Sequence, residues 1–358
     1  MVATSNYEII VKRHRKQHYF TYFNRKSGFF ARVEEKGYPE AFWSKDGPEL
    51  LDISITNWCD KECSICYRNS SKKGEHIDLH DYEFLIEQAE EIGVLQVALG
   101  GGNPNQHPDF VKILEITREK YGIVPSYTTN GKGLTKKVLE ASGKYCGAVA
   151  VSAYAPYDEM KTALETLNKF HIKTNVHFVL SSESIETAMK WLKNLPRFLK
   201  DINAVIFLNY KPVGKYKNRN LLLSRSQALE SFFSLISNEK FPFKIGFDSC
   251  CISGLVTHLN VNPSFYEACE AGRFSAFISE EMKMYPCSFM IELAEGIDLG
   301  SYKIIDIWQK GEMFNQIREN LKKNDCSSNC HYFSNCLGGC PSFKEINLCN
   351  IIRSGVNS

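Results

Sequence analysis

From residue 51 to about 212, short apolar runs alternate with amphipathic stretches. The runs are LDISI (51–55), LQVALG (95–100), VPSYTT (124–129), AVAVS (148–152), NVHFVL (175–180) and AVIFLN (204–209). Each carries few or no charges, which predicts strands buried on both faces of a parallel sheet. The stretches between them read as helices with definable ends. Asp78 is placed to cap one, with Tyr82, Leu85, Ile86 and Ala89 as its buried stripe and Gly93 after it. Pro108 opens another, whose stripe runs through Phe110, Ile113, Leu114, Thr117 and Tyr121 to Gly122. A β-α unit repeated six times predicts an α/β fold whose parallel strands are joined by right-handed crossovers.

Outside that segment the beat is lost. Residues 1–50 read as a short β-rich segment of strands (YEIIV, HYFTYF, GFFARV) broken at Gly28, Gly37 and Gly47. Its basic run, Lys12–Lys16 with His18, suits a charged edge strand or a dock for an acidic peptide. Residues 213–249 read as a linker with a bridging helix over Ser224–Ser237. From residue 250 to 358 only Ile305–Ile317 keeps an apolar period, and a small Cys-rich domain held by metal rather than by a core is expected.

The ends of the six runs are chemically distinct. The first leads into TNWCDKECSIC, the second into GGGNP, and the third into TTNG. The fourth ends in SAY, the fifth in SSES, and the sixth in NYKPVG. Glycine, polar and cysteine residues thus gather at the carboxyl edge, where parallel α/β sheets place their active sites.

Charge and composition narrow the choice. A formal net charge of +2 on 358 residues gives no argument for nucleic acid or a membrane surface. The N-terminus has no secretory apolar run, and no stretch approaches the ~18 apolar residues of a membrane span. A cytoplasmic chain with 13 cysteines is better read as a metal protein than as a disulfide one.

Cys59, Cys63 and Cys66 are spaced C-x₃-C-x₂-C directly after the first strand. Three thiolates in one loop can wrap one side of a four-iron cubane and leave one iron open to chelate a small molecule. A zinc knuckle would normally pair its cysteines with a distant second pair, which this loop does not suggest. The spacing resembles the signature of the radical S-adenosylmethionine superfamily. That resemblance implies a partial (β/α)6 parallel barrel and a 4Fe-4S cluster on Cys59, Cys63 and Cys66. It also implies reductive cleavage of S-adenosyl-L-methionine to a 5′-deoxyadenosyl radical. Gly101, Gly102, Asn103 and Pro104 resemble the family's GGEP motif, with Asn103 where Glu is usual, so the methionyl amine would be held by an amide oxygen. By the same resemblance Ser152 would contact ribose or carboxylate. Ile65 stands where an aromatic residue with a backbone contact is usual, and Asn209–Pro212 would shape an adenine pocket. His177 reads as a hydrogen-bonded core histidine and Cys146 as a small buried hydrophobe.

Nine of the thirteen cysteines lie from residue 250 onward. The run DCSSNCHYFSNCLGGC, with Cys349 beyond it, resembles a SPASM extension carrying two auxiliary clusters, with one residue inserted between its first pair. The resemblance implies Cys269, Cys287, Cys340 and one of Cys250 or Cys251, Cys250 favoured, for the first cluster. The second would take Cys326, Cys330, Cys336 and Cys349. It implies an enzyme that modifies a ribosomally made precursor peptide by hydrogen abstraction, giving a crosslink, a thioether or an epimerised centre. A flavodoxin- or ferredoxin-like electron donor and a separate leader-recognition protein are the implied partners. The alternatives are a sulfatase-type formylglycine maturase, a cofactor-biosynthesis enzyme, or a non-catalytic iron–sulfur or zinc scaffold.

Overall fold

The computed structural model describes residues 8–327 and 330–349. Tyr7, where the first expected strand begins, and the ends of the two outer segments (1–7 and 350–358) lie outside them. The chain opens with an antiparallel three-stranded sheet of β1 (Ile9–His14), β2 (Tyr19–Asn24) and β3 (Phe30–Glu34). The six expected strands follow as β4 (Leu50–Thr56), β5 (Gln96–Gly101), β6 (Val124–Thr129), β7 (Val149–Ser152), β8 (Thr174–Leu180) and β9 (Ala204–Asn209). They pair in chain order, every pair parallel. The helices between them are α1 (Leu79–Glu91), α2 (Phe110–Glu115), α3 (Lys136–Tyr145), α4 (Asp158–Lys169) and α5 (Ile185–Asn194). Asp78 caps α1 by accepting from the His80 N–H, and the expected stripe of Tyr82, Leu85, Ile86 and Ala89 is buried.

The strands are not buried on both faces. In β8, Thr174, Val176, Phe178 and Leu180 are buried against the helices, while Asn175, His177 and Val179 are half-open. β4 buries Leu51, Ile53 and Ile55 completely and turns Asp52 the other way. The inner face therefore lines a lumen rather than a second helical layer. Among the described residues no pair joins the two outermost strands, and the barrel is partial.

Two stretches beyond the six units complete the sheet. The segment read as linker and helix holds α6 (Gln227–Asn238), capped by Ser226, and then β10 (Lys244–Phe247), parallel to β9. After α7 (Ile252–His258), β11 (Ser275–Ile278) lies parallel to β4 at the opposite edge. β12 (Lys283–Tyr285) and β13 (Ile297–Asp298) extend that edge antiparallel. These strands are three or four residues or fewer, too short to show a period in sequence. The expectation that residues after 250 lack a core is corrected here. Met284 in β12, Ile307 and Trp308 in α8 (Ile304–Lys310), and Phe314 in α9 (Glu312–Lys322) join the same core as Leu51 and Tyr82. No helix among the described residues is long and apolar enough to cross a membrane.

The basic run near the N-terminus is largely engaged within the chain. Lys12 donates to the carbonyls of Ile92 and Gly93 at the end of α1, and Arg13 pairs with Glu35. His14 is fully buried between Asp46 and Thr21.

Candidate functional site

The loop after β4 doubles back on itself and so gathers its three cysteines. Asn57 N–H donates to Glu75 O, Cys59 N–H to Ser71 O, and Cys66 N–H to Cys63 O. Thr56 Oγ1 donates to Glu75 O and accepts from Trp58 N–H. Burial pushes the Cys59 thiol up, against hydrogen bonds from Lys61 N–H and the Asn130 amide that favour the thiolate. Burial also raises the Cys63 thiol, which with Lys61 opposing and Cys66 and Cys59 reinforcing the rise stands at about 11. A cation is what would offset the burial that disfavours the thiolates of Cys59 and Cys63. The donor set thus suits a metal centre.

Glycine packing holds that loop. A Cβ on Gly101 would stand 1.9 Å from Thr56 O, and one on Gly102 would stand 2.0 Å from Trp58 O. Gly102 N–H donates to Thr56 O and Asn103 N–H to Trp58 O, at 2.7 and 3.0 Å. From the end of β9, a Cβ on Gly214 would meet Cys66 O at 2.1 Å, and Lys215 N–H donates to that same oxygen. Only glycine lets these backbones touch the cysteine loop so closely.

Asn103 is fully buried and has a structural task that the sequence did not suggest. Its side-chain oxygen, expected to accept from a methionyl amine, accepts from Thr129 Oγ1 and Asn130 N–H, both at 3.1 Å. Its amide donates to Gln106 Oε1 at 2.7 Å and to Lys132 O at 3.1 Å. Asn103 therefore ties the end of β6 to the end of β5. Asn130, fixed in this way, donates to Asp60 Oδ1 and lies 3.6 Å from Cys59 Sγ. Pro104 is buried and opens a short 3-10 turn. Ile65 is half-buried within the cysteine loop, and Ser152 is half-open at the end of β7, hydrogen-bonded to Tyr154.

His177 was expected in a core. It lies on the inner face of β8 and is hydrogen-bonded, with Nδ1 3.5 Å from Thr128 Oγ1. Burial lowers its pKa to about 4, so the imidazole is neutral. The Asn209–Pro212 segment, expected around adenine, turns toward the C-terminal part of the chain. Asn209 Nδ2 donates to Ile346 O and Cys250 O, and Lys211 Nζ donates to Asp248 Oδ2 and Asn209 O.

The structure brings Cys250, Cys269, Cys287 and Cys340 to one cavity of about 130 Å³, with Lys211 on its wall. The Cys250 and Cys340 thiols are hydrogen-bonded to each other. Burial raises the Cys269 thiol and takes Cys287 to about 12, while the Lys211 ammonium pulls Cys287 down. Cys251, the alternative to Cys250, is fully buried with Sγ 3.9 Å from Phe207 O and does not line the cavity. A second, smaller cavity is lined by Cys326, Cys330, Cys336 and Cys349. Left-handed residues Leu337, Gly338 and Gly339 turn the chain between Cys336 and Cys340, so that these two neighbours serve different cavities. Among the described residues no three His, Cys, Asp or Glu side chains are gathered closely enough to hold a single metal ion.

Charged groups inside the lumen were not picked out from sequence. Arg68 lies two residues after Cys66 and pairs with Glu280 at 2.6 Å, both almost wholly buried. Asp52 faces the cavity of the four cysteines. Their signal was present: a charge within an apolar strand such as LDISI conflicts with the local pattern, and such conflicts mark functional or strained sites.

Known proteins agree with this architecture. The model of the radical SAM superfamily matches residues 53–209. Mycofactocin maturase MftC of Mycolicibacterium smegmatis is 22% identical over 327 residues, 84% of this chain and 79% of that one. An AdoMet-dependent heme synthase of Methanosarcina barkeri is 21% identical over 82% of this chain and 91% of its own. Among solved structures, Streptococcus suis SuiB bound to precursor peptide SuiA superposes with a TM-score of 0.73 at 16% identity. That match covers 96% of this chain and 99% of SuiB.

Proposed function

Residues 53–209 are a radical S-adenosylmethionine domain, and from that premise we propose that the chain is an iron–sulfur enzyme that modifies a ribosomally made precursor peptide by hydrogen abstraction. The carrying observation is the gathering of the cysteines in three groups: one in the loop after β4 and two lining separate cavities of the C-terminal extension. Cys59, Cys63 and Cys66 would hold the 4Fe-4S cluster that binds S-adenosyl-L-methionine. Cys250, Cys269, Cys287 and Cys340 hold one auxiliary cluster, and Cys326, Cys330, Cys336 and Cys349 the other. A cluster held by Cys59, Cys63 and Cys66 would supply the electron for reductive cleavage of S-adenosyl-L-methionine, the source of a hydrogen-abstracting radical. The chain's own part is positional. Gly101, Gly102 and Gly214 seat the cysteine loop, Asn103 fixes Asn130 beside Cys59, and Ser152 offers a hydroxyl at the lumen edge for the nucleoside. The peptide substrate is supported by the likeness to MftC and to SuiB, whose solved structure carries a precursor peptide. The reducing compartment that thirteen cysteines require favours the cytoplasm, with a flavodoxin- or ferredoxin-like protein as electron donor.

The test is anaerobic. Reconstituted protein given dithionite and S-adenosylmethionine releases 5′-deoxyadenosine, and short peptides encoded beside its gene change mass when co-expressed with it. Absence of 5′-deoxyadenosine from iron-loaded protein overturns the enzyme reading. Cofactor release with no peptide changed favours the second reading, a cofactor-biosynthesis enzyme, which the likeness to the heme synthase supports.

A further inference from the structure

The N-terminal sheet carries a buried cation that reaches the C-terminal extension. Arg32 lies in β3 opposite Thr21 of β2, and its side chain is 9% exposed, while its neighbour Val33 points outward at 47%. Each of its three side-chain nitrogens meets a different carboxylate. Nε donates to Glu49 Oε2 at 2.7 Å, Nη1 to Glu267 Oε1 at 2.7 Å and Nη2 to Glu270 Oε1 at 2.9 Å. The guanidinium lies over the Phe274 ring, 3.6 Å from its centroid. The Glu49 carboxylate also accepts from Tyr19 Oη and Thr21 Oγ1 of β2, which fixes the near side of the fan. Glu267 and Glu270 lie 235 and 238 positions further along the chain than Arg32. A planar fork of donors can serve three acceptors at once, which a compact ammonium cannot do.

Glu270 directly follows Cys269, and both line the cavity shared with Cys250, Cys287 and Cys340. Residues 267–271 belong to no helix or strand, so the Cys269 turn takes its position from what surrounds it. Much of that surrounding is N-terminal. Arg273 Nε donates to Phe42 O at 2.6 Å and its Nη1 to Cys269 O at 3.2 Å. Ser44 N–H donates to Arg273 O, and Glu49 N–H to Phe274 O. Arg32 adds the contact to the side chain next to the thiol. Without the guanidinium, three carboxylates gathered on one point would be left to repel one another, and the displacement of Glu270 would carry Cys269 with it.

We propose that Arg32 is a positioning residue of the first auxiliary centre: through Glu270 it holds Cys269 in place as a ligand, and the N-terminal sheet is thereby a working part of that centre. The inference rests on the assignment of Cys250, Cys269, Cys287 and Cys340 to one cluster made above. The sheet that the sequence offered as a charged edge or a peptide dock thus has a task inside the molecule, on the face opposite exposed Val33. Groups that position a ligand from behind it typically govern how tightly the metal is kept.

Iron release from the reconstituted full chain to a chelator tests it, followed cluster by cluster through electron paramagnetic resonance of the reduced protein. The first auxiliary cluster is the one whose signal is missing from Cys250→Ala. In Arg32→Met that cluster gives up its iron roughly 10-fold faster than in wild type, while the other two keep the wild-type rate. The same cluster becomes harder to reduce, because a fixed cation near it is gone, and the potentials of the other two do not move. Arg32→Lys, which keeps the charge but not the fork, recovers the potential and only part of the retention. Should Arg32→Met fail to fold, Arg32→Lys decides by its selective loss of that iron. Wild-type release in both variants, an unmoved potential in Arg32→Met, or equal loosening of all three clusters each overturns the proposal, the last by making Arg32 a general support of the fold. A wild-type protein with about eight irons, none of them lost in Cys250→Ala, overturns the cluster assignment itself, whatever Arg32 does.

Discussion

Arg68 Nη2 donates to the Glu280 carboxylate at 2.6 Å, joining the cysteine loop to the turn between β11 and β12 across 212 positions of sequence. Both side chains are nearly inaccessible, at 2% and 6% exposure, and Ser54 Oγ donates to the same carboxylate. The guanidinium also lies over the Phe277 ring. The cysteine loop is therefore fixed from the C-terminal extension as well as from the strand ends.

Removing one partner of that pair strands a buried charge. Glu280→Ala is expected to cost about 3–5 kcal/mol, read by denaturant unfolding of the cluster-loaded protein. The double variant Arg68→Met with Glu280→Leu recovers most of the loss. A double variant as unstable as the single would show that the interaction lies elsewhere.

Asn103→Ala removes all four of the side chain's hydrogen bonds and frees Asn130. The expected cost is about 2–4 kcal/mol of stability, together with weaker S-adenosylmethionine binding by calorimetry. Asn103→Asp fares little better, since a carboxylate cannot donate to Gln106 Oε1 or Lys132 O. Wild-type affinity in Asn103→Ala would remove it from the cofactor site.

Cys66→Ala is expected to abolish 5′-deoxyadenosine formation while about eight of twelve irons remain, at four per cubane. Iron analysis with electron paramagnetic resonance of the reduced protein separates the loss of one cluster from general collapse.

The adjacent cysteines are expected to behave differently. Cys250→Ala loses roughly four irons, because its thiol shares the cavity of Cys269, Cys287 and Cys340. Cys251→Ala keeps its iron and loses about 1–2 kcal/mol from a small buried void. Equal iron in both variants would contradict the assignment.

His177 makes stability fall in acid. Its folded pKa of about 4 lies below the ordinary 6.5, so the unfolded chain binds the proton first as pH drops. Stability from this residue is complete above pH 6.5 and is lost as pH falls through 4, by up to about 3 kcal/mol. His177→Gln flattens the unfolding free energy between those limits, and a profile identical to wild type would place the acid sensitivity in other groups.

Much of this was legible along the chain because it depends on neighbours close in sequence. The six strand runs declared themselves by short apolar-rich stretches with few or no charges, α1 by the Asp78 cap and its stripe, and the cysteine loop by C-x₃-C-x₂-C. β10 and β11 did not, since four residues carry no period and their stability comes from pairing with β9 and β4. Asn103 was read from its motif as a ligand group. The partners that saturate it, Thr129, Asn130 and Lys132, stand 26 to 29 residues away and reach it only when β5 and β6 lie side by side.

The amino-acid order alone determined the repeating α/β unit, the trio of thiols after the first strand and the reserve of cysteines near the end, because periodicity and short spacing are local properties. Only the folded chain decided which cysteines share a cavity, that Cys250 rather than Cys251 joins them, and that Asp52 and His177 lie on the inner face of the sheet. Those outcomes depend on which strand faces flank the lumen and on how left-handed turns such as Leu337–Gly339 separate adjacent residues. Such relations arise when distant segments are packed together, and no window of sequence contains them.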